Sequence, residues 1–317
     1  MSGDARKPIL VVAGPTASGK SALALAIAEA FGGTVINADS MQIYRELPVL
    51  TAQPSAADQA RAPHALYGVL PAAERCTVGR WRTMALREIA AAQERRRLPV
   101  VTGGTGLYLK ALMEGLAPIP DVPPNVRAET AALHERLGAE QFHAALAECD
   151  PVMAARIAPG DTQRARRAYE VFAATGRSLA SYQAETAAGD SAFVTLLLLP
   201  PRDVLNAACD ARCRVMLDMG ALDEVRALLA QGLSPDLPAM KALGVRELAR
   251  HARGEFGLDE ALALLQRATR QYAKRQYTWF RHQLSQARVW NAQFSESLKA
   301  EIFSFIRKAV DRPGPGV

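Results

Sequence analysis

The chain has 317 residues, four cysteines and a formal net charge of +6. Its length fits about two domains, and no apolar run reaches the ~20 residues that span a bilayer. No basic start leads into an apolar stretch with a cleavage site, so a soluble, cytoplasmic chain is expected. Cys76, Cys149, Cys209 and Cys213 are scattered. Cys209 and Cys213 share a predicted helix face, but nothing nearby completes a metal set, so buried reduced thiols are expected. The positive charge fits a polyanionic partner.

The first predicted element is a short buried strand over Ile9–Ala13. It runs into Gly14, Pro15, Thr16, Ala17, Ser18, Gly19, Lys20 and Ser21, and an alanine- and leucine-rich helix follows over 22–31. In that setting the spacing G-x-x-x-x-G-K-S is a phosphate cradle. Two glycines let successive N–H groups converge on one anion, and the new helix adds its positive end. Lys20 offers a compact charge to the outer phosphate oxygens, and the Ser21 hydroxyl is a candidate Mg²⁺ ligand. A second strand over 34–38 ends at Asp39 and Ser40. At the carboxyl edge of an α/β sheet, Asp39 has three readings: metal ligand, base facing a substrate, or helix N-cap.

Further along, a helix is expected over 78–93, ending in the solvated cluster Arg95, Arg96 and Arg97. A buried strand over 99–102 opens into Gly103, Gly104, Thr105 and Gly106, whose small residues allow close approach of a ligand. Composition shifts at Ala117, where Pro118, Pro120, Pro123 and Pro124 break regular structure. Helical patterning then continues over 127–188 without a strand, which reads as a helical insertion in an α/β domain. Within it, Asp161 suits an N-cap for a helix carrying Gln163, Arg164, Ala165, Arg166 and Arg167; a surface helix with an Arg166–Glu170 pair is the plain alternative.

An apolar central strand is expected over 193–199, with helices over 204–219 and 223–231. The segment Met240, Lys241, Ala242, Leu243, Gly244, Val245 precedes a long helix in which Arg267, Arg270, Lys274 and Arg281 recur at helical spacing. Beside them Tyr277, Trp279 and Phe280 are expected in the core, while the cations meet phosphates. The predicted organisation is a catalytic core of 1–116 plus 190–290, a helical insertion of 117–189, and 291–317 as a C-terminal helix with a disordered tail from Pro313.

Several of these stretches share one order and spacing. The P-loop is followed by Asp39-Ser40-Met41-Gln42-Ile43-Tyr44-Arg45, then Thr51-Ala52-Gln53-Pro54, then Gly103-Gly104-Thr105-Gly106-Leu107-Tyr108-Leu109. Together they resemble the tRNA dimethylallyltransferase family, and the resemblance covers most of the chain, from Ile9 to about Arg281. One departure is visible: His64-Ala65-Leu66-Tyr67-Gly68 stands where the family often has His-His-Leu-Ile-Asp, so His64 is given no role.

The resemblance implies an α/β fold with a P-loop kinase-like parallel sheet flanked by helices and an all-helical insertion. It implies transfer of a dimethylallyl group from dimethylallyl diphosphate to N6 of an adenine beside the tRNA anticodon, with Mg²⁺ and without an obligate partner subunit. Catalytic roles fall to Asp39, Thr105, Lys20 and Arg127, the last reaching back to the diphosphate. Contacts to tRNA fall to Asp39, Ser40, Met41, Gln42, Thr105, Arg127, the stretch from Gln163 to Arg167, and the stretch from Met240 to Val245. The chemistry is consistent with those roles. Adenine N6 is a poor nucleophile, so the cradle must draw off the leaving group while Asp39 accepts the N6 proton. The adenine must be unstacked to reach the site, and water must be kept from the allylic cation, a task for the insertion as a lid. A small-molecule or nucleotide kinase is the competing reading of the P-loop, and a nucleic-acid-binding ATPase is a third.

Overall fold

The strands over Ile9–Ala13 and Leu98–Gly103 are buried along their whole length, as expected of parallel strands covered by helices on both faces. The structure, a computed structural model, describes residues 8–185 and 192–310. The predicted tail from Pro313 lies outside the described residues. The chain divides into two compact units, Met1–Met113 with Asp190–Val317, and Glu114–Gly189.

The first unit opens with β1 (Ile9–Ala13), α1 (Lys20–Phe31), β2 (Gly33–Asn37), α2 (Ala56–Arg61) and the short β3 (His64–Ala65). It continues through α3 (Val78–Glu94), β4 (Leu98–Gly103) and α4 (Gly106–Glu114). The second unit holds α5 (Pro124–Cys149), α6 (Pro151–Ala154), α7 (Thr162–Thr175) and α8 (Leu179–Ala184). The first unit resumes at β5 (Phe193–Leu198), α9 (Arg202–Asp218), α10 (Ala221–Ala230), α11 (Val245–Ala252) and α12 (Leu258–Gln283), and closes with β6 (Arg288–Trp290) and α13 (Glu296–Val310).

All six strands run parallel in the order β3-β2-β4-β1-β5-β6. This is the P-loop kinase-like sheet that the sequence implied. Alternation along each strand feeds two cores. Leu10 and Val12 point with Val35, Val100 and Leu196 toward α1 and α13, where Leu23, Ile27, Ile302 and Ile306 close one layer. Val11 and Ala13 point with Ile36 and Val101 to the opposite layer, built from α3, α4 and the helices after β5.

The second unit has its own core, including Phe142, Leu146, Val171 and Leu179, and no strand among its described residues. Two of its prolines start structure rather than break it: Pro123 caps α5 and Pro124 takes its first turn, where the missing N–H leaves no orphan. Gly138, at φ 71°, kinks α5.

Two strands escaped the sequence. β3 has two residues and β6 three, and both lie at sheet edges, too short to carry a period-two pattern.

Candidate active site

The P-loop leaves β1 at Gly14, and its glycines are required by geometry. A Cβ on Gly14 would lie 2.6 Å from Ser18 Oγ and 2.8 Å from the Leu198 carbonyl. Gly19 adopts φ 85° at the start of α1 with no side-chain cap, leaving the first-turn N–H groups to face an anion. Ala17 also adopts a positive φ of 63°, uncommon for a residue with a Cβ.

Two of the loop amides do not face an open cradle. The Thr16 N–H donates to Gln276 Oε1 at 2.8 Å, the Ser18 N–H to the Pro15 carbonyl at 3.2 Å, and Pro15 has no N–H to offer. The cradle is therefore narrower than the full run from Gly14 to Ser21 that the motif suggests. The Ser18 hydroxyl is buried and has no hydrogen-bond partner among the described residues.

Lys20 is nearly buried, and its ammonium reaches the Pro15 carbonyl at 3.3 Å. Burial pushes its pKa down to about 8; the Asp39 carboxylate opposes that shift and the Arg212 guanidinium adds to it. Ser21 is exposed and lines a cleft of about 320 Å³ with Lys20, Arg212, Ala52, Ala208 and Gln293.

No group of three His, Cys, Asp or Glu side chains among the described residues forms a metal cage. Mg²⁺ does not need one, since it keeps most of its waters and takes one or two protein oxygens plus phosphate. An exposed Ser21 hydroxyl beside the lysine fits that donor set.

Asp39 is held from three sides. Its N–H donates to Asn37 Oδ1 at 2.7 Å, its carbonyl accepts from Asn37 Nδ2 at 3.0 Å, and its Oδ1 accepts the Met41 N–H at 3.0 Å. Asn37 is itself anchored, because Trp81 Nε1 donates to its carbonyl at 2.9 Å and Trp81 stacks on Tyr108 at 4.4 Å. Of the three readings, the N-cap fails, as no helix starts at Ser40; the carboxylate instead closes a local turn with one oxygen. Oδ2 has no hydrogen bond among the described residues and stands near Gly104.

The GGTG loop packs against this turn. A Cβ on Gly103 would come within 2.1 Å of the Ala38 carbonyl, one on Gly104 within 2.3 Å of Gln276 Nε2, and one on Gly106 within 2.3 Å of the Trp279 ring. Thr105 Oγ1 accepts the Ser40 N–H at 2.9 Å and donates to Ser40 Oγ at 3.2 Å. The loop therefore sets the position of the Asp39–Ser40 turn.

Other predicted contacts are placed less favourably. Gln42 spends its amide on the Thr51 and Ala52 carbonyls, at 2.9 and 2.8 Å, and Met41 packs on the core. Within the Met240–Val245 stretch, Ala242 and Val245 are core residues and Gly244, at φ 97°, is packed against Leu50 and Leu265. Those three present no surface to a nucleic acid. The exposed Lys241 pairs with Asp236 at 3.1 Å.

In the second unit Asp161 does cap α7, accepting the Arg164 N–H at 3.3 Å. Gln163 and Arg164 are exposed, but Ala165 is buried in the insertion core and Arg166 Nε is buried with no hydrogen-bond partner among the described residues. The pair to Glu170 comes from Arg167, at 3.6 Å, rather than from Arg166, whose Nε is turned into the interior. Arg127 is exposed in the first turn of α5.

Sequence reasoning missed two residues that complete the site. Arg212 lines the cleft beside Lys20; burial lowers its pKa and the Asp39 charge raises it. Its signal was helical spacing, since it flanks the buried stripe of Leu205, Cys209, Cys213 and Met216 on α9. Gln276 is buried on α12 in line with Leu265, Thr269, Ala273 and Phe280. A glutamine in such a stripe must satisfy its amide inside the protein, and it does so by accepting from Thr16 N–H and donating to the Gly104 carbonyl at 2.8 Å.

His64 is a satisfied histidine, its Nδ1 on the Ala62 carbonyl at 2.8 Å. Cys209 and Cys213 are buried free thiols, and Cys76 and Cys149 are half-buried ones. On α12, Phe280 is core while Lys274 and Arg281 are exposed, and Arg270 pairs with Asp210.

One cleft thus joins the P-loop to two cations, Lys20 and Arg212, and both feel the charge of the Asp39 carboxylate; comparison with known proteins finds the same sequence framework elsewhere. The IPP transferase family model matches residues 42–283, and the isopentenyl transferase model matches 7–62. A tRNA dimethylallyltransferase of Rhodospirillum centenum is 59% identical over 90% of this chain and 91% of its own. One of Paramagnetospirillum magneticum is 55% identical over 95% and 96%. Among solved structures, the full-length tRNA isopentenylpyrophosphate transferase of Bacillus halodurans matches with a TM-score of 0.70 at 30% identity, covering 96% of this chain and 97% of that one. A eukaryotic dimethylallyltransferase captured acting on tRNA gives 0.82 at 25% identity, covering 98% and 81%. Identity at that level along nearly the whole chain, with the two family models together spanning residues 7–283, places this protein in the IPP transferase family.

Proposed function

We propose that this protein transfers a dimethylallyl group from dimethylallyl diphosphate to N6 of an adenine next to the tRNA anticodon, releasing diphosphate. It is a tRNA dimethylallyltransferase. The observation that carries the reading is the placement of Asp39: a carboxylate with one oxygen committed to its own turn and the other free, in electrostatic reach of Lys20 and Arg212.

The leaving group explains the cations. Heterolysis of the allylic C–O bond leaves both bonding electrons on diphosphate oxygen. The Gly19 end of α1, Lys20 and Arg212 meet that growing charge, the largest single kind of contribution in such sites. Mg²⁺ on Ser21 would neutralise the phosphate oxygens as a Lewis acid when bound. The acceptor side belongs to Asp39, which takes the N6 proton as the new C–N bond forms, so that N6 ends as a neutral secondary amine. Thr105 fixes Ser40 and with it the approach of Asp39. Gln163, Arg164, Arg167 and Lys241 are solvent-accessible polar groups that the predicted contact stretches offer to tRNA. No helix among the described residues is long and apolar enough to cross a membrane, in keeping with a cytoplasmic enzyme, which we take to act as a monomer.

A kinase also uses an anion cradle and an acceptor-side carboxylate, and it is the family assignment that does not favour that reading. The test is incubation with dimethylallyl diphosphate labelled in the allyl group and an adenine-bearing anticodon stem-loop. Label in N6-isopentenyladenosine after nuclease digestion is the expected result. ADP formation from ATP with unlabelled RNA would overturn the proposal.

A further inference from the structure

The P-loop is held on its outer side by a segment that neither family model reaches, since the longer one ends at residue 283. After β6 pairs with β5, the chain turns at residues 291–295 and passes over the loop. There the Gln293 Nε2 donates to the Ala17 carbonyl at 3.0 Å, and the Phe294 N–H donates to the Ser18 carbonyl at 3.2 Å. A Cβ added to Gly19 would lie 2.9 Å from Phe294 Cβ, so the two backbones are in direct contact.

The consequence follows from peptide geometry. In a trans peptide the C=O and N–H point in opposite directions. With the Ser18 carbonyl drawn outward to Phe294, the Gly19 N–H of the same peptide is turned inward, to the side where the anion lies. Gln293 holds the preceding peptide, next to the positive φ of Ala17. The segment is firmly seated: Trp290 is buried, donates Nε1 to Glu301 at 2.9 Å and meets Phe305 edge-on, and Ile302 and Ile306 of α13 enter the core. Gln293 also lines the cleft shared by Lys20, Ser21 and Arg212.

We infer that residues 288–295 form a strap that sets the P-loop in its anion-binding shape, with Gln293 and Phe294 as positioning residues for the diphosphate. This rests on the reading of that loop as the diphosphate site. It also means that the diphosphate half-site of this chain extends beyond the stretch the family models describe.

The test uses the full chain and inorganic pyrophosphate. Gln293→Met keeps the side-chain length and removes the amide donor, while Gln293→Asn offers a shorter one. Gln293 is exposed, so the melting temperature should change little. Loss of one hydrogen bond that orders a ligand site should weaken pyrophosphate by about three- to tenfold in Gln293→Met. The KM for the allylic donor should rise by the same factor, with KM for tRNA unchanged and partial recovery in Gln293→Asn. Hydrogen exchange at residues 14–22 should quicken in the ligand-free variant. If the variant leaves both pyrophosphate affinity and loop exchange at wild-type values, the strap is refuted while the reaction stands. A wild-type chain that ignores pyrophosphate altogether refutes the diphosphate reading and the strap with it.

Discussion

Gln276 and Thr16 are 260 residues apart in the chain, yet the Gln276 carboxamide accepts the Thr16 N–H at 2.8 Å and donates to the Gly104 carbonyl at the same distance. One side chain thus ties the P-loop to the GGTG loop that packs against the Asp39–Ser40 turn. Tyr272, one turn earlier on α12, hydrogen-bonds to Gln276 and stands within the field of Asp39; burial and that charge push its pKa far above the usual phenol range. Replacing Gln276 by Leu would leave a buried N–H and a buried C=O unpaired, a loss of about 2–4 kcal/mol of stability. Gln276→Glu should retain the Thr16 contact but set an acceptor against the Gly104 carbonyl. Thermal unfolding and kcat should therefore both drop in each variant, with Leu the less stable of the two at pH 7.

Asp39→Asn separates geometry from chemistry. The Asn Oδ1 can still accept the Met41 N–H, so the turn survives, but the free oxygen no longer carries a charge that can take a proton. Single-turnover transfer to the anticodon loop should fall by about 10²–10⁴-fold. The melting temperature should stay near the wild-type value. A variant that lost stability in proportion to activity would mark Asp39 as a structural residue.

The sequence carried the core of this site where function and local structure share the same residues. The P-loop is read from eight contiguous positions and its flanking strand and helix. The glycines at 103, 104 and 106 are read as small residues, but the reasons are long-range: the Ala38 carbonyl, the Gln276 amide and the Trp279 ring. Nothing near them in sequence names those partners. Arg212 and Gln276 were hidden for the same reason, since each sits on a helix whose period explains its neighbours and not its own exception. The stretch over 240–245 shows the opposite case. Its motif named six residues, of which Ala242 and Val245 are buried in the core and Gly244 is packed against Leu50 and Leu265. Burial of a small residue depends on what faces it, which one strand of sequence does not display.

Lys20 makes the enzyme sensitive to alkali. Its pKa in the folded, ligand-free protein is about 8, against 10.5 unperturbed, because burial disfavours the charge. Above pH 8 the free enzyme must take up a proton to bind diphosphate, so kcat/KM for the donor should fall with a slope approaching −1. The stability effect has the opposite sense. Since the folded pKa is depressed, the unfolded chain binds more protons between about pH 8 and 10.5, and stability from this group rises across that window and is lost as pH falls through 8. Lys20→Met removes the buried charge. At pH 7 it should raise the melting temperature while abolishing pyrophosphate binding, and calorimetry on the two proteins checks both signs. A melting temperature that drops instead would mean that the ammonium is well compensated in the empty site.

Arg212 offers a test of the coupling between the two cations. It stands close enough to Lys20 for its charge to lower the lysine pKa, and its own nearest hydrogen bond is a long one, Nη2 to the Thr51 carbonyl at 3.4 Å. It is therefore held by the cleft rather than by a fixed partner, and a diphosphate is the natural one. Arg212→Met removes a cation from the leaving group and should weaken pyrophosphate and slow transfer. At the same time it removes a like charge from Lys20, so the alkaline limb of kcat/KM should move to higher pH even as the plateau falls. Arg212→Lys restores a charge but not the planar fork that grips two phosphate oxygens at once. It should recover the position of the limb more fully than the height of the plateau. A plateau and limb that moved together in both variants would mean that Arg212 acts on folding rather than on the anion, because only direct charge coupling shifts the two in opposite directions.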